Sequence, residues 1–295
     1  MISEKKIPLI YWIRIIKWDI LIVAFFATVI HYFTLYFPDT NIPISLGVFL
    51  GTAIALLLSF RLSQSYDRWW EARKIWGSIV NDSRILVIQL KNFTLDQNKK
   101  LVYKMAHRQI AWCYSLGQGL RNQNPLENTD SFISQKELEL IKKHKNIPLG
   151  LLDNHSKDLA NLLYEKHIND RQQIQVDNTI LRLCESMGKA ERIKNTAFPK
   201  PYRITLKLFI YLFLILLSFS LSEAQDVAEI PLLIAIAIPF LLLEKIALEI
   251  QDPFENRPSD TAMTTIARNI EINIKQLINS EDIPEPLSPD SYYIL

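Results

Sequence analysis

Few residues in this chain have both the type and the setting that chemistry needs. His31, Glu244 and Lys245 are titratable groups inside long apolar stretches. Ionisable groups at that depth are costly, so each is a candidate for work on a substrate or an ion. His31 has no acid near it in sequence, which favours a structural hydrogen bond. Glu244 and Lys245 close their stretch, where long side chains reach the polar boundary at little cost. His107, His144, His155 and His167 are scattered through polar regions and read as surface residues. Cys113 and Cys184 stand apart, in no disulfide or zinc spacing, and read as packing thiols. No metal motif, nucleophile elbow or phosphate loop is present. The expectation is no enzyme, no metal and no cofactor. The net charge of +2 gives no basic field for nucleic acid.

A denser pattern runs Ser65-Tyr66-Asp67-Arg68-Trp69-Trp70-Glu71-Ala72-Arg73-Lys74-Ile75-Trp76-Gly77. As a helix it sets Asp67 and Glu71 one turn apart and Lys74 two turns from Asp67. Arg68, Arg73 and the carboxylates could form a partly buried ion network. The plainer reading is an aromatic belt with snorkelling arginines, since indoles prefer the membrane interface. Just before the string lie two stripes of period four: Gly47, Gly51, Ala55 and Ser59, and beside them Val48, Thr52, Leu56 and Phe60. Small residues so spaced let helices approach closely in lipid. The larger stripe suits ordinary bundle packing or a hydrophobic constriction that gates by dewetting. A constriction would need several copies of the chain, because four helices are few to enclose an aqueous path.

The elements that carry these residues are set by the bilayer. About 20 apolar residues in a helix cross its core. Four stretches qualify: about 18–37, 42–60, 204–221 and 230–248. Lys5, Lys6, Arg14, Lys17, Arg61, Arg68, Arg73, Lys74, Lys194, Lys200, Arg203, Lys207, Arg257 and Arg268 flank one side of all four. The short loops 38–41 and 222–229 have no basic residue. That asymmetry predicts both termini inside and multiple passes through the membrane. The outer loops carry Asp39, Glu223, Asp226 and Glu229, which would favour cations locally or are simply tolerated there.

With no proline from Thr52 to Leu90, the second membrane helix is expected to continue into the polar part. The polar region 61–200 reads as helical, with a loop at Asn122–Asp130, a capping box of Ser134 and Glu137 opening a helix through Lys145, and one helix from Ser156 to about Ile193. The chain breaks around Thr196–Tyr202 and turns at Asp252–Pro258. A last helix covers about 261–279, and the proline-rich tail 280–295 reads as extended. No strand pattern or internal repeat is visible. The fold class is an all-α integral membrane protein of four transmembrane helices, one unit over 1–295.

Three pieces in order resemble the bestrophin family, in its bacterial branch: Tyr66-Asp67-Arg68-Trp69-Trp70-Glu71-Ala72-Arg73-Lys74 with Trp76-Gly77 and Asn81-Asp82-Ser83-Arg84; Glu191-Arg192-Ile193 with Pro199 and Tyr202; and Asp252-Pro253-Phe254-Glu255 with Asp260 and Met263-Thr264-Thr265. Bestrophins are pentameric ion channels, so the resemblance implies a homopentamer in membrane lipid that passes monovalent ions. Animal and plant members carry chloride, and a bacterial type passes cations such as sodium. The resemblance puts the pore neck at Thr52, Leu56 and Phe60, the stripe already found by spacing. Thr52 departs from the large apolar residue usual there, which implies a wider or wetter outer end. It implies a second constriction near Arg171–Gln175, with Ile174 the apolar candidate. Animal members bind calcium with a dense acidic run after the Pro-Phe turn; Glu255 and Asp260 alone do not supply the six to eight oxygens calcium takes. The competing readings are a lipid-modifying membrane enzyme and a non-conducting scaffold.

Overall fold

A computed structural model describes residues 8–37, 42–94, 98–127, 129–196, 199–222, 227–289 and 293. Its elements are helices throughout, with no β-strand among the described residues: α1 (Leu9–Tyr36), α2 (Ile44–Phe93), α3 (Lys99–Leu120), α4 (Gln135–Ile141), α5 (Ile147–Tyr164), α6 (Asp170–Asn195), α7 (Lys200–Leu221), α8 (Glu229–Ile250) and α9 (Met263–Leu277). They group into two compact units, Lys6–Trp69 with Ala197–Asp252, and Trp70–Thr196 with Pro253–Leu295.

The first unit holds α1, the start of α2, α7 and α8. Helices α2, α7 and α8 are each long and apolar enough to cross a membrane. Helix α1 is 28 residues long and carries Arg14, Lys17 and Asp19 in its first half. Its core joins Val23 and Ala27 of α1, Ile54 and Leu58 of α2, Ile210 and Leu214 of α7, and Leu233 and Ala237 of α8. The small-residue stripe on α2 does part of the work expected of it. A Cβ on Gly47 would meet Leu217 at 3.3 Å, and one on Gly51 would meet the Phe213 ring at 3.1 Å. Ala55 and Ser59 are exposed instead, because a row of period four drifts around a helix of 3.6 residues per turn.

Helix α2 does continue past the apolar stretch, as one element of 50 residues. Its second part supplies Trp76, Ile79, Leu86 and Leu90 to the core of the other unit, with Met105, Ile110 and Trp112 of α3, Leu159 of α5, Leu183 of α6 and Ile270 of α9. Cys113 lies within this core. Burial pushes its thiol pKa up to about 12, against weaker help from hydrogen bonds to Ser83 and Gln109.

Several expected boundaries are corrected here. The helix expected over 156–193 is two helices. Helix α5 begins earlier, where the Asn146 side chain accepts from Leu149 N and Pro148 sits in the first turn. It ends at a Schellman motif: Lys166 takes φ 58°, its N–H bonds Leu163 O, and His167 N bonds Leu162 O. Helix α6 restarts at a full capping box, with Asn169 and Gln172 bonding each other's backbone at 3.0 Å. Helix α4 stops at Ile141 rather than Lys145. Ser134 caps it by accepting from Glu137 N, but the Glu137 side chain turns away and pairs with Arg108, whose Nη1 also meets Asp158 at 2.7 Å. His155, expected at the surface, is fully buried beside that cluster, and burial holds its pKa well below the usual value. The loop at Asn122–Asp130 and the Asp252–Pro258 turn are present in the described residues, and residues 282–289 form no regular element.

Gly51→Leu should lower stability by roughly 1–3 kcal/mol through overpacking on Phe213. Thermal unfolding in detergent measures it. The Cys113 thiol should resist alkylation at pH 8 until the protein unfolds, because the thiolate is the reactive form.

Candidate functional site

The first unit places the stripe of α2 on a face that its own helices leave bare. Leu56 and Phe60 are each 57% exposed, and Val48, Phe49 and Thr52 are exposed with them. Thr52 turns its hydroxyl back onto Val48 O at 2.9 Å, so an unpaired O–H is not what it presents. No charged residue lies on this run from Val48 to Phe60. The opposite face carries Gly47, Ile54, Leu58, Arg61 and Ser65, all buried.

Arg61 directly follows Phe60 and is 0% exposed. Its Nη1 lies 3.3 Å from Oε1 of Glu244 on α8, itself 3% exposed. Glu244 is thus not snorkelling out of the bilayer end, as its position in the sequence suggested; it compensates a buried guanidinium. Lys245, one residue on, reaches Asp19 Oδ2 at 3.1 Å. Asp19 also accepts from Tyr211 Oη at 2.6 Å and meets Lys207 Nζ at 3.0 Å. Helices α1, α7 and α8 are tied together there. Towards the other end, His31 Nδ1 and Glu229 Oε1 are 2.7 Å apart and both buried. The expected structural hydrogen bond of His31 is therefore to an acid 198 positions away. Glu229 is buried in that pair and is not an open outer charge. Asp39, Glu223 and Asp226 lie outside the described residues.

The aromatic and charged string does not close an ion network on itself. Arg68 Nε donates to Gln251 O at 2.9 Å, and its Nη2 lies 3.6 Å from Asp252. Tyr66 stacks near Trp69, with ring centroids 5.9 Å apart. In the other unit Glu71 pairs with Arg192 at 2.7 Å, and Lys194 with Glu255 at 2.7 Å. Lys194 draws the Glu255 carboxyl below its ordinary pKa. Phe254 is buried, and Asp260 Oδ2 accepts from Arg257 N at 3.0 Å. Arg73 and Asp67 carry no ion pair among the described residues. Ile174, in the second turn of α6, is 56% exposed. Sequence reasoning missed Arg61, Asp19 and Glu229 as paired groups. The only signal was their charge inside or beside apolar runs.

Thus the three motif pieces, far apart in sequence, are joined pairwise: Arg68 with the Asp252 turn in one unit, and Glu71 with Arg192 in the other. Residues 12–276 match the family described as bacterial/fungal bestrophin protein. This chain belongs to the bestrophin family. A voltage-dependent anion channel-forming protein, YneE, from Escherichia coli O157:H7 is 29% identical over 246 residues, 83% of this chain and 80% of that one. A protein of the same description from Nostoc sp. is 28% identical, covering 82% of each chain. A crystal structure of a bacterial bestrophin homologue from Klebsiella pneumoniae superposes with TM-score 0.85 over 90% of this chain and 100% of that chain, at 24% identity, a likeness of fold. The apolar helices and the bestrophin family together make this a membrane protein.

Removing one partner of the buried pair, as in Glu244→Gln, should cost roughly 3–5 kcal/mol in thermal unfolding, because Arg61 is left uncompensated. The double variant Arg61→Met with Glu244→Leu should recover most of that loss, since replacing both charges removes the desolvation cost.

Proposed function

We propose that this chain is one subunit of a homopentameric ion channel whose neck is lined by Thr52, Leu56 and Phe60 of α2. The observation that carries the reading is the uncharged stripe left bare on α2 while the opposite face is buried. Apolar exposure alone suits lipid, a neighbouring copy or a pore. Bestrophin membership and the period-four spacing favour the pore. Four helices cross the inner membrane on this reading: α1 joins α2, α7 and α8, and lysine and arginine flanks put both termini in the cytoplasm. Ile174 on α6 forms a second, cytoplasmic constriction.

Five copies of Leu56 and Phe60 make a narrow apolar ring that water wets poorly, so an ion meets a dehydration barrier. Such a ring supplies a gate and little charge selectivity. The relatives' description as anion channel-forming favours small monovalent anions such as chloride. The outer acids that would have favoured cations are weakened as an argument, since Glu229 is buried against His31. A lipid-modifying enzyme has no support from bestrophin membership, and a non-conducting scaffold has none from relatives described as channel-forming.

Purified protein in liposomes with a sodium chloride gradient should give a current that reverses towards the chloride equilibrium potential. Reversal towards sodium would make the channel cationic, and no current would leave the scaffold. Leu56→Ala with Phe60→Ala should raise the flux severalfold by removing most of the apolar ring. Unchanged flux in that double variant contradicts the neck.

A further inference from the structure

The second unit contains a cavity of about 850 Å³ between the end of α3, α9 and the C-terminal tail. That volume suits a small ligand. Its wall includes Arg121, which is the C-cap of α3, and Arg268 on α9. Arg121 Nη1 donates to Thr264 Oγ1 at 2.5 Å, which fixes the plane of the guanidinium. Its other two nitrogens, Nε and Nη2, are buried and meet no acceptor among the described residues. Those two N–H groups share one edge and point the same way, the fork that takes both oxygens of a carboxylate or phosphate. A buried cationic edge with no acceptor is expensive, so the arrangement calls for a partner.

The acids around the cavity do not supply it. Glu271 is held by Lys275 at 3.0 Å, by Arg268 Nη1 at 3.4 Å and by the Tyr114 hydroxyl at 2.7 Å. Asp282 is held by Lys275 at 3.1 Å. Glu127 is exposed at the edge of the wall. Asp260 is the charge that most offsets the burial of Arg121, yet it makes no hydrogen bond to it. Arg268 adds a second vacancy: its Nε is also buried without an acceptor. Two guanidinium groups, one from each wall helix of the same cavity, therefore have buried N–H groups that no described residue receives.

We propose that this cavity binds a small oxyanion, a carboxylate or phosphate group that pairs with the buried, unpartnered edge of Arg121, with Arg268 as a further donor. The bound group links the end of α3 to α9, which Arg121 and Thr264 already join. The site is independent of whether and how the chain conducts.

The test uses the full chain in detergent, with inorganic phosphate and acetate as separate probes, read by titration calorimetry and by the shift in melting temperature. The unsubstituted protein should bind one or both saturably and melt higher in its presence. Phosphate alone points to a phosphate-bearing ligand, and acetate alone to a carboxylate. Arg121→Gln should weaken binding about tenfold or more, the loss expected for a charge-assisted pair. Arg121→Lys keeps the charge without the fork and should fall between the two; it decides the matter if Arg121→Gln does not fold. Absence of binding by both anions, or affinities unchanged in the arginine variants, overturns the proposal.

Discussion

A guanidinium buried among apolar helices has to be compensated, and Arg61 is compensated by Glu244. That requirement fixes which way α2 faces. With Arg61 turned inwards, Gly47, Ile54 and Leu58, on the same side of the helix, go inwards too, and the glycines let Phe213 and Leu217 come close. The period of the helix then leaves Thr52, Leu56 and Phe60 outside. A single charge pair at the end of the apolar stretch thus orients the face on which the proposed neck depends. Small residues alone would be a weaker constraint, since Ala55 and Ser59 belong to the same row and are not covered.

The other membrane-depth charges follow the same physics. Asp19 collects Lys207, Lys245 and the Tyr211 hydroxyl, and His31 takes Glu229. Each pairing crosses between helices, so each removes freedom for one helix to slide along another. In a solvent without competing water, these tie points supplement packing that lacks a hydrophobic drive of its own. The exposed pair Arg192–Glu71 is different. It is worth roughly 0–1 kcal/mol, so its part is in positioning more than in stability.

Much of the architecture is legible from local signals. Apolar length located the helices of the first unit, and the lack of proline showed α2 running on past its apolar stretch. The period of four picked out the row that the structure leaves exposed. The break between α5 and α6 was hidden, because the turn uses Lys166 with positive φ where glycine is the usual mark, and its restart relies on Asn169 and Gln172 rather than a serine or proline. The early start of α5 at Asn146 was hidden for a related reason, since the run Lys142-Lys143-His144-Lys145 reads as continued helix. The pairings were hidden for a deeper reason. Arg61 and Glu244 are 183 positions apart, and a lone charge near the end of an apolar run looks the same whether it snorkels or is buried. His155 repeats the lesson in a polar setting, where residue type says surface and the packing of α3 against α5 says otherwise.

The central claim is that Leu56 borders a water-filled path shared by several copies. A Leu56→Cys channel in planar bilayers, treated with a charged membrane-impermeant thiol reagent, tests it most directly, with the unsubstituted protein as control for Cys113 and Cys184. The account predicts that the reagent blocks the variant's current and leaves the control unchanged. A Leu56→Cys channel whose current persists after the thiol has been fully labelled would contradict it.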